Sequence, residues 1–157
     1  MSKKLLGIIP LLFIGYFVFQ NLSGNTDLML TYLEESDELA HEYYFLLENE
    51  AQIDNEEELE NFTRVVLIPS LEEIITKSEA YGETIEKEEL KSVHMIHNDA
   101  LKKHLEAEIA WVEGNENQAM ELYGESDMLF FEYEEELNKL AKKWGVEIEW
   151  EEWEEEV

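Results

Sequence analysis

Imidazole and carboxylate are the chemically capable side chains of this sequence. His94, His97 and His104 stand at offsets of three, seven and ten residues, which keep side chains on one side of a helix. His41 falls in a separate stretch, beside Ala40. Imidazoles on facing helices, with carboxylates near them, bind Zn, Fe or other divalent ions, so these four histidines form the candidate metal set. Ferritin-like di-iron bundles need two Glu-x-x-His pairs and two further Glu; Glu38 and His41 supply one pair, and the chain has no second. The spacings His104 to Glu108 and His94 to Asp99 match those of hemerythrin-like bundles, but both lie on one helix. With 39 Asp and Glu in the chain, such spacings arise by composition alone. Ordinary packing or surface roles compete with metal binding for all four histidines.

Other chemistry has less to stand on. The chain has no glycine-rich phosphate loop, no Gly-x-Ser-x-Gly and no His-Glu-x-x-His, so neither catalysis nor a cofactor is expected. The runs Glu56 to Glu58, Glu134 to Glu136 and Glu151 to Glu156 lack the Asp-x-Asp-x-Asp-Gly pattern of a calcium loop. On helices such runs splay outward as solvated faces, and only weak binding of divalent cations follows from their field. There is no cysteine, which rules out disulfides and thiolate metal sites and leaves packing alone to hold the fold.

Four helical segments must position these groups. The first starts near Asn25 or Thr26 and repeats apolar residues at Met29, Tyr32, Leu33, Leu39, Ala40, Tyr43, Leu46 and Leu47, three and four apart. It ends in the polar stretch 48–54. The second opens at Asp54 or Asn55, with Glu56 to Glu58 where the helix dipole favours negative charge. Pro69 interrupts it, predicting a kink between Val65 and Pro69 or a split into two shorter helices, and Gly82 is placed as a left-handed cap. The third runs from Thr84 to about Glu113 on a heptad-like seam of Leu90, Val93, His97, Ala100, His104, Ala107 and Trp111. Gly114 ends it, and Asn115 with Gln118 makes a capping-box start for the fourth. The fourth carries Leu122, Tyr123, Phe130, Tyr133, Leu137 and Leu140, and stops at Lys142, Lys143 and Gly145. The fold expected is all-α, an antiparallel up-down bundle of four helices with the second kinked at Pro69, although a split second helix leaves room for a less regular three-helix arrangement. Beyond it, residues 146–150 alternate apolar and acidic; they suit a strand, and otherwise residues 146–157 fray as an acidic tail carrying Trp150 and Trp153.

Residues 5–19 are apolar or aromatic except for Gly7, Pro10 and Gly15, and follow Lys3 and Lys4. A membrane-spanning helix needs about 20 such residues, and a signal segment needs a small-x-small cleavage site, which Leu22-Ser23-Gly24 meets poorly. An uncleaved anchor is the leading expectation, a cleaved signal the next, a buried core helix the last. The basic flank stays cytoplasmic, which sends the following domain outside, either tethered to the membrane through residues 5–19 or secreted after cleavage. The division is then 1–24 anchor or signal, 25–145 acidic bundle, 146–157 tail. The formal charge of −28, from 11 Lys and Arg against 39 Asp and Glu, repels phosphate backbones and excludes nucleic acid as a partner.

The stretches 67–73 (Leu-Ile-Pro-Ser-Leu-Glu-Glu), 90–94 (Leu-Lys-Ser-Val-His) and 105–107 (Leu-Glu-Ala), with Gly114, resemble a loose group of uncharacterised, membrane-anchored or exported all-helical proteins of Gram-positive bacteria. The resemblance implies location and fold and carries no catalytic residue with it. The expectation is a membrane-tethered, extracytoplasmic helical protein that acts by contact with an envelope protein. The alternative is a bundle that binds a metal or small ligand through His94, His97, His104 and His41.

Overall fold

A computed structural model describes residues 13–150, the side chain of Ile14 aside. In chain order the elements are β1 (Phe13–Val18), α1 (Gly24–Ala51), α2 (Glu56–Phe62), a π-helical turn (Thr63–Leu67), α3 (Ile68–Thr84), α4 (Glu88–Val112), α5 (Glu116–Lys143) and β2 (Val146–Trp150). With α2, the π turn and α3 counted as one column, this is the expected all-α bundle of four helical columns.

Its core is a stack of three clusters. At one end Met29, Tyr32 and Leu33 of α1 meet Leu90 and Val93 of α4, Leu137, Leu140 and Trp144 around the end of α5, and Val146 and Ile148 of β2. In the middle Tyr43, Leu67, Leu71, Ile74, Leu101 and Phe130 pack together. At the far end Leu59 lies against Ala107, Trp111, Leu122 and Tyr123. The periodic apolar positions of the sequence account for nearly all of these residues, because each helix must turn its three-and-four stripe away from water.

The helix ends follow local chemistry with two exceptions. The Asn55 side chain accepts from the Glu58 backbone N–H at 3.0 Å and caps α2. Gly114 has φ 82°, and the Asn115 N–H reaches back to the Ala110 carbonyl at 2.9 Å, the bond that closes a helix through a left-handed glycine. The Asn115 side chain makes no capping bond, so the expected capping box is replaced by its backbone carbonyl, which accepts from Ala119 at 2.9 Å. Thr26, expected as a cap, is instead buried inside α1; its hydroxyl donates to the Trp144 carbonyl at 2.7 Å and accepts from the Leu22 N–H at 2.7 Å.

Pro69 breaks the second column as a π turn immediately before it. Proline has no N–H for the preceding turn and its ring crowds the carbonyl four residues back; widening residues 63–67 to π spacing takes up the mismatch. Pro69 then sits in the first turn of α3, where a missing donor costs nothing.

The apolar run at the N-terminus divides. Residues 5–12, with Lys3 and Lys4, lie outside the described residues, as do Glu151 through Val157. Phe13–Val18, expected as the second half of a membrane helix, is a β-strand. It pairs antiparallel with β2 from Phe13↔Trp150 to Val18↔Val146, with an irregularity between Phe13 and Gly15. Its aromatic and β-branched residues favour an extended chain, and β2, with Val146 and Ile148 buried and its glutamates outward, offers an edge for it. Among the described residues no helix is long and apolar enough to cross a membrane.

Candidate functional site in the bundle interior

The seam of α4 carries polar side chains into the core at two levels. At the first, His94 is buried. Its Nε2 faces the Ser78 carbonyl of α3 at 2.8 Å, and a carbonyl only accepts, so that nitrogen holds the proton. The Nδ1 is therefore an acceptor, and the Tyr32 hydroxyl of α1 donates to it at 3.0 Å. Tyr32 in turn accepts from the Tyr133 hydroxyl of α5 at 2.9 Å. The Ser78 hydroxyl donates to Asn98 Oδ1 at 2.5 Å. One imidazole thus ties all four columns together. Burial lowers its pKa, against the opposing pull of the Ser78 carbonyl, which agrees with a neutral ring.

His97 stacks on His94 with ring centroids 5.9 Å apart and lies 4.9 Å from the Tyr133 ring. Its Nδ1 is enclosed with no hydrogen-bond partner among the described residues. Burial, and then the neighbouring His94, push its pKa down to about 3.

The second level surrounds His104, whose Nδ1 meets the Tyr43 hydroxyl at 2.6 Å and whose Nε2 meets Glu108 Oε1 at 2.8 Å. Glu108 and Glu50, from α4 and the end of α1, are buried here together with Tyr43 and Tyr123. Burial first, then the charges of Glu108 and Glu50, raises both tyrosines well above their ordinary value. Asp127 borders the cluster half-buried, its pKa pushed up to about 6 by burial against the opposing charge of His104. Thr63 of the π turn is fully buried, and its hydroxyl has no hydrogen-bond partner among the described residues. It lies along its column between Leu59, packed at the far end, and Leu67, packed in the middle cluster.

The four histidines do not meet at one point. His94 and His97 share the first level, His104 occupies the second, and His41 is on the surface of α1, its Nε2 3.4 Å from Asp37. Both nitrogens of His94 and of His104 are taken by protein partners. Among the described residues no three His, Asp or Glu side chains gather around an ion-sized point. What the arrangement does chemically is fix register: Tyr32 to His94 and Tyr43 to His104 are two rungs between α1 and α4, and a satisfied polar rung in a dry core penalises sliding by leaving its partners unpaired. Sequence reasoning found the histidines of these rungs but not Tyr32, Tyr43 and Ser78 as their partners, nor Asn98 and Glu50 as buried beside them. Glu50 sits seven residues after Tyr43, on the same helix face, and that was the available signal.

Outside the core, an open groove of about 440 Å³ between α3 and α4 has Gly82, His94 and Asn98 among its lining residues, with Glu79, Glu83, Lys91 and Lys102. Lys102 pairs with Glu79 at 2.5 Å and Lys91 with Glu83 at 3.4 Å.

No protein-family model, curated protein or solved structure matches the chain.

Proposed function

We propose that the chain is a non-catalytic helical module of the cell envelope, placed outside the cytoplasm against the membrane, which works by contact with another protein. The observation that carries this reading is the apolar end of the bundle. Tyr16, Phe17, Val18, Phe19 and Leu22 are all exposed and directly continue the apolar residues 5–12. Apolar side chains exposed on both faces of a strand mark it for contact with an apolar medium, and their continuity in sequence with that run favours a bilayer over a water-facing partner. Helices of 28 residues then project an acidic column about 40 Å from that surface, at 1.5 Å per residue.

The metal- or ligand-binding alternative has less support, because protein hydrogen bonds occupy both nitrogens of His94 and His104, and the Nδ1 of His97 is enclosed in the core.

The test is made in cells. The bundle should be digested by protease added to intact cells with the outer layers opened, and the chain should float with membranes. Phe17→Ser with Phe19→Ser should reduce flotation while leaving the far-ultraviolet circular dichroism unchanged. Protection of the bundle until the cytoplasmic membrane is lysed would overturn the placement.

A further inference from the structure

Helix α5 presents a second apolar surface, remote from the ribbon patch. Met120, Met128 and Phe131 are 55%, 74% and 61% exposed, and with Gly124 between them they fall within an arc of about 80° at 100° per residue. This stripe is not part of the core: α5 packs inward through Leu122, Ser126, Phe130 and Tyr133, which are buried. Nothing lies within 4 Å of where a Cβ on Gly124 would stand, so the stripe has a notch between its two methionines.

The rims of the stripe decide what fits it. Glu121, Glu125 and Glu132 flank one side, Asp127 and Glu134 the other, and α5 has no Lys or Arg before Lys139. Lys103 of α4, which reaches this rim at Glu125, is shared between Glu125 and Glu106, at 3.1 Å each. We infer that the outer face of α5 docks an amphipathic helix of a partner protein whose apolar stripe is bordered by Lys and Arg. This rests on the reading that the chain works by protein contact, and it names the partner's chemistry. Flexible methionines adapt to varied apolar side chains. The notch at Gly124 receives one of them, and the two acidic rims meet basic ones as the helices pack at 8–10 Å. A second copy of this chain would bring acidic rims against acidic rims at a charge of −28 each, and anionic headgroups are repelled for the same reason.

The test uses the full chain in zwitterionic nanodiscs, carrying a photo-crosslinking residue at position 128 or, as control, at the exposed Glu57 of α2. The probes are a labelled 22-residue Leu/Lys peptide with a helical apolar stripe, a scrambled peptide of the same composition, and a Leu/Glu counterpart. Crosslinking at 128 and not at 57 is expected, saturating with the striped Leu/Lys peptide at micromolar concentration and weakening several-fold between 50 and 500 mM salt. Met128→Gln with Phe131→Gln, which leaves the charge unchanged, should weaken peptide binding at least tenfold without shifting the Tm. Equal binding of the scrambled peptide, or no effect of the double substitution, would reduce the interaction to the general acidic field and overturn the inference. Equal binding of the Leu/Glu peptide would overturn the charge assignment, and chain-to-chain crosslinks at 128 would make a second copy the occupant. The parent reading fails separately. If the peptides fail but position 128 still crosslinks a protein in cells, contact stands and this partner chemistry falls; if the bundle proves cytoplasmic, the parent reading falls.

Discussion

Asp127 and His97 make the protein's response to pH pull in opposite directions. The folded chain keeps the Asp127 proton up to about pH 6, whereas an unfolded aspartate releases it near pH 4. As pH rises through that window the unfolded state is favoured, and the full cost stands above pH 6. Asp127→Asn removes that cost, so it should stabilise the protein at about pH 7.5 by on the order of 1 kcal/mol, the shift being discounted because the side chain is half exposed to solvent. At about pH 3.5 it should do nothing, and urea denaturation at the two pH values separates this from a simple packing effect. His97 works the other way. Its folded pKa is pushed down to about 3, below the unfolded value near 6.5, so its contribution is fully present above pH 6.5 and is lost as pH falls toward 3. His97→Gln should therefore lose less stability than the wild type on going from about pH 7 to pH 4, as denaturation midpoints across that range would show.

At the scale of the element, two glycines inside helices predict opposite outcomes. A Cβ on Gly82 would stand 2.9 Å from His94 Cδ2, and that ring is pinned between Tyr32 and the Ser78 carbonyl. Gly82→Ala gains about 1 kcal/mol of helix propensity, but overpacking against a ring that cannot move costs more, and a net loss of about 1–2 kcal/mol is expected. Gly124→Ala meets nothing and should stabilise by about 0.5–1 kcal/mol. Thermal melts of the two variants should move apart in sign. The same pair shows what the sequence made legible. Gly114 and Gly145 are read correctly because termination is local, and the apolar stripes are read because helical period is local. Gly82 looks like a cap by the same local rule, yet its reason is His94, brought against it only when α3 and α4 pack. The Tyr–His rungs were out of reach for the same cause: offsets within α4 place the histidines on one face, but nothing local says which residues of α1 stand opposite. Pro69 announces a break, while its form as a π turn depends on how Thr63 and Leu67 are seated in the core.

Across the whole molecule, Gly145 joins the end of the bundle to the ribbon, and its substitution tests how β1 is held. Residues 5–19 read as one membrane segment because hydropathy sees only their apolarity. What that reading missed is the edge of β2, more than 120 residues away in sequence. Gly145 adopts φ 84°, a conformation that strains any residue with a Cβ. Its carbonyl accepts from the Phe19 and Gln20 N–H groups at 3.0 and 3.2 Å. An added Cβ would collide with the Gln20 backbone carbonyl, and no rotamer change relieves a backbone clash. Gly145→Ala should therefore detach Phe13–Val18 from β2 and cost about 2–4 kcal/mol. Trp144, buried beneath the ribbon, would gain access to water, so its emission should shift to longer wavelength, and protease should cut within residues 13–22 before the helices melt. With the strand released, residues 5–19 are again one continuous apolar run, and the membrane-bound fraction of the variant should rise. Unchanged emission and an unchanged melt would mean that the ribbon contributes no packing to the bundle; released emission without increased membrane binding would mean that strand and bilayer do not compete for the same residues.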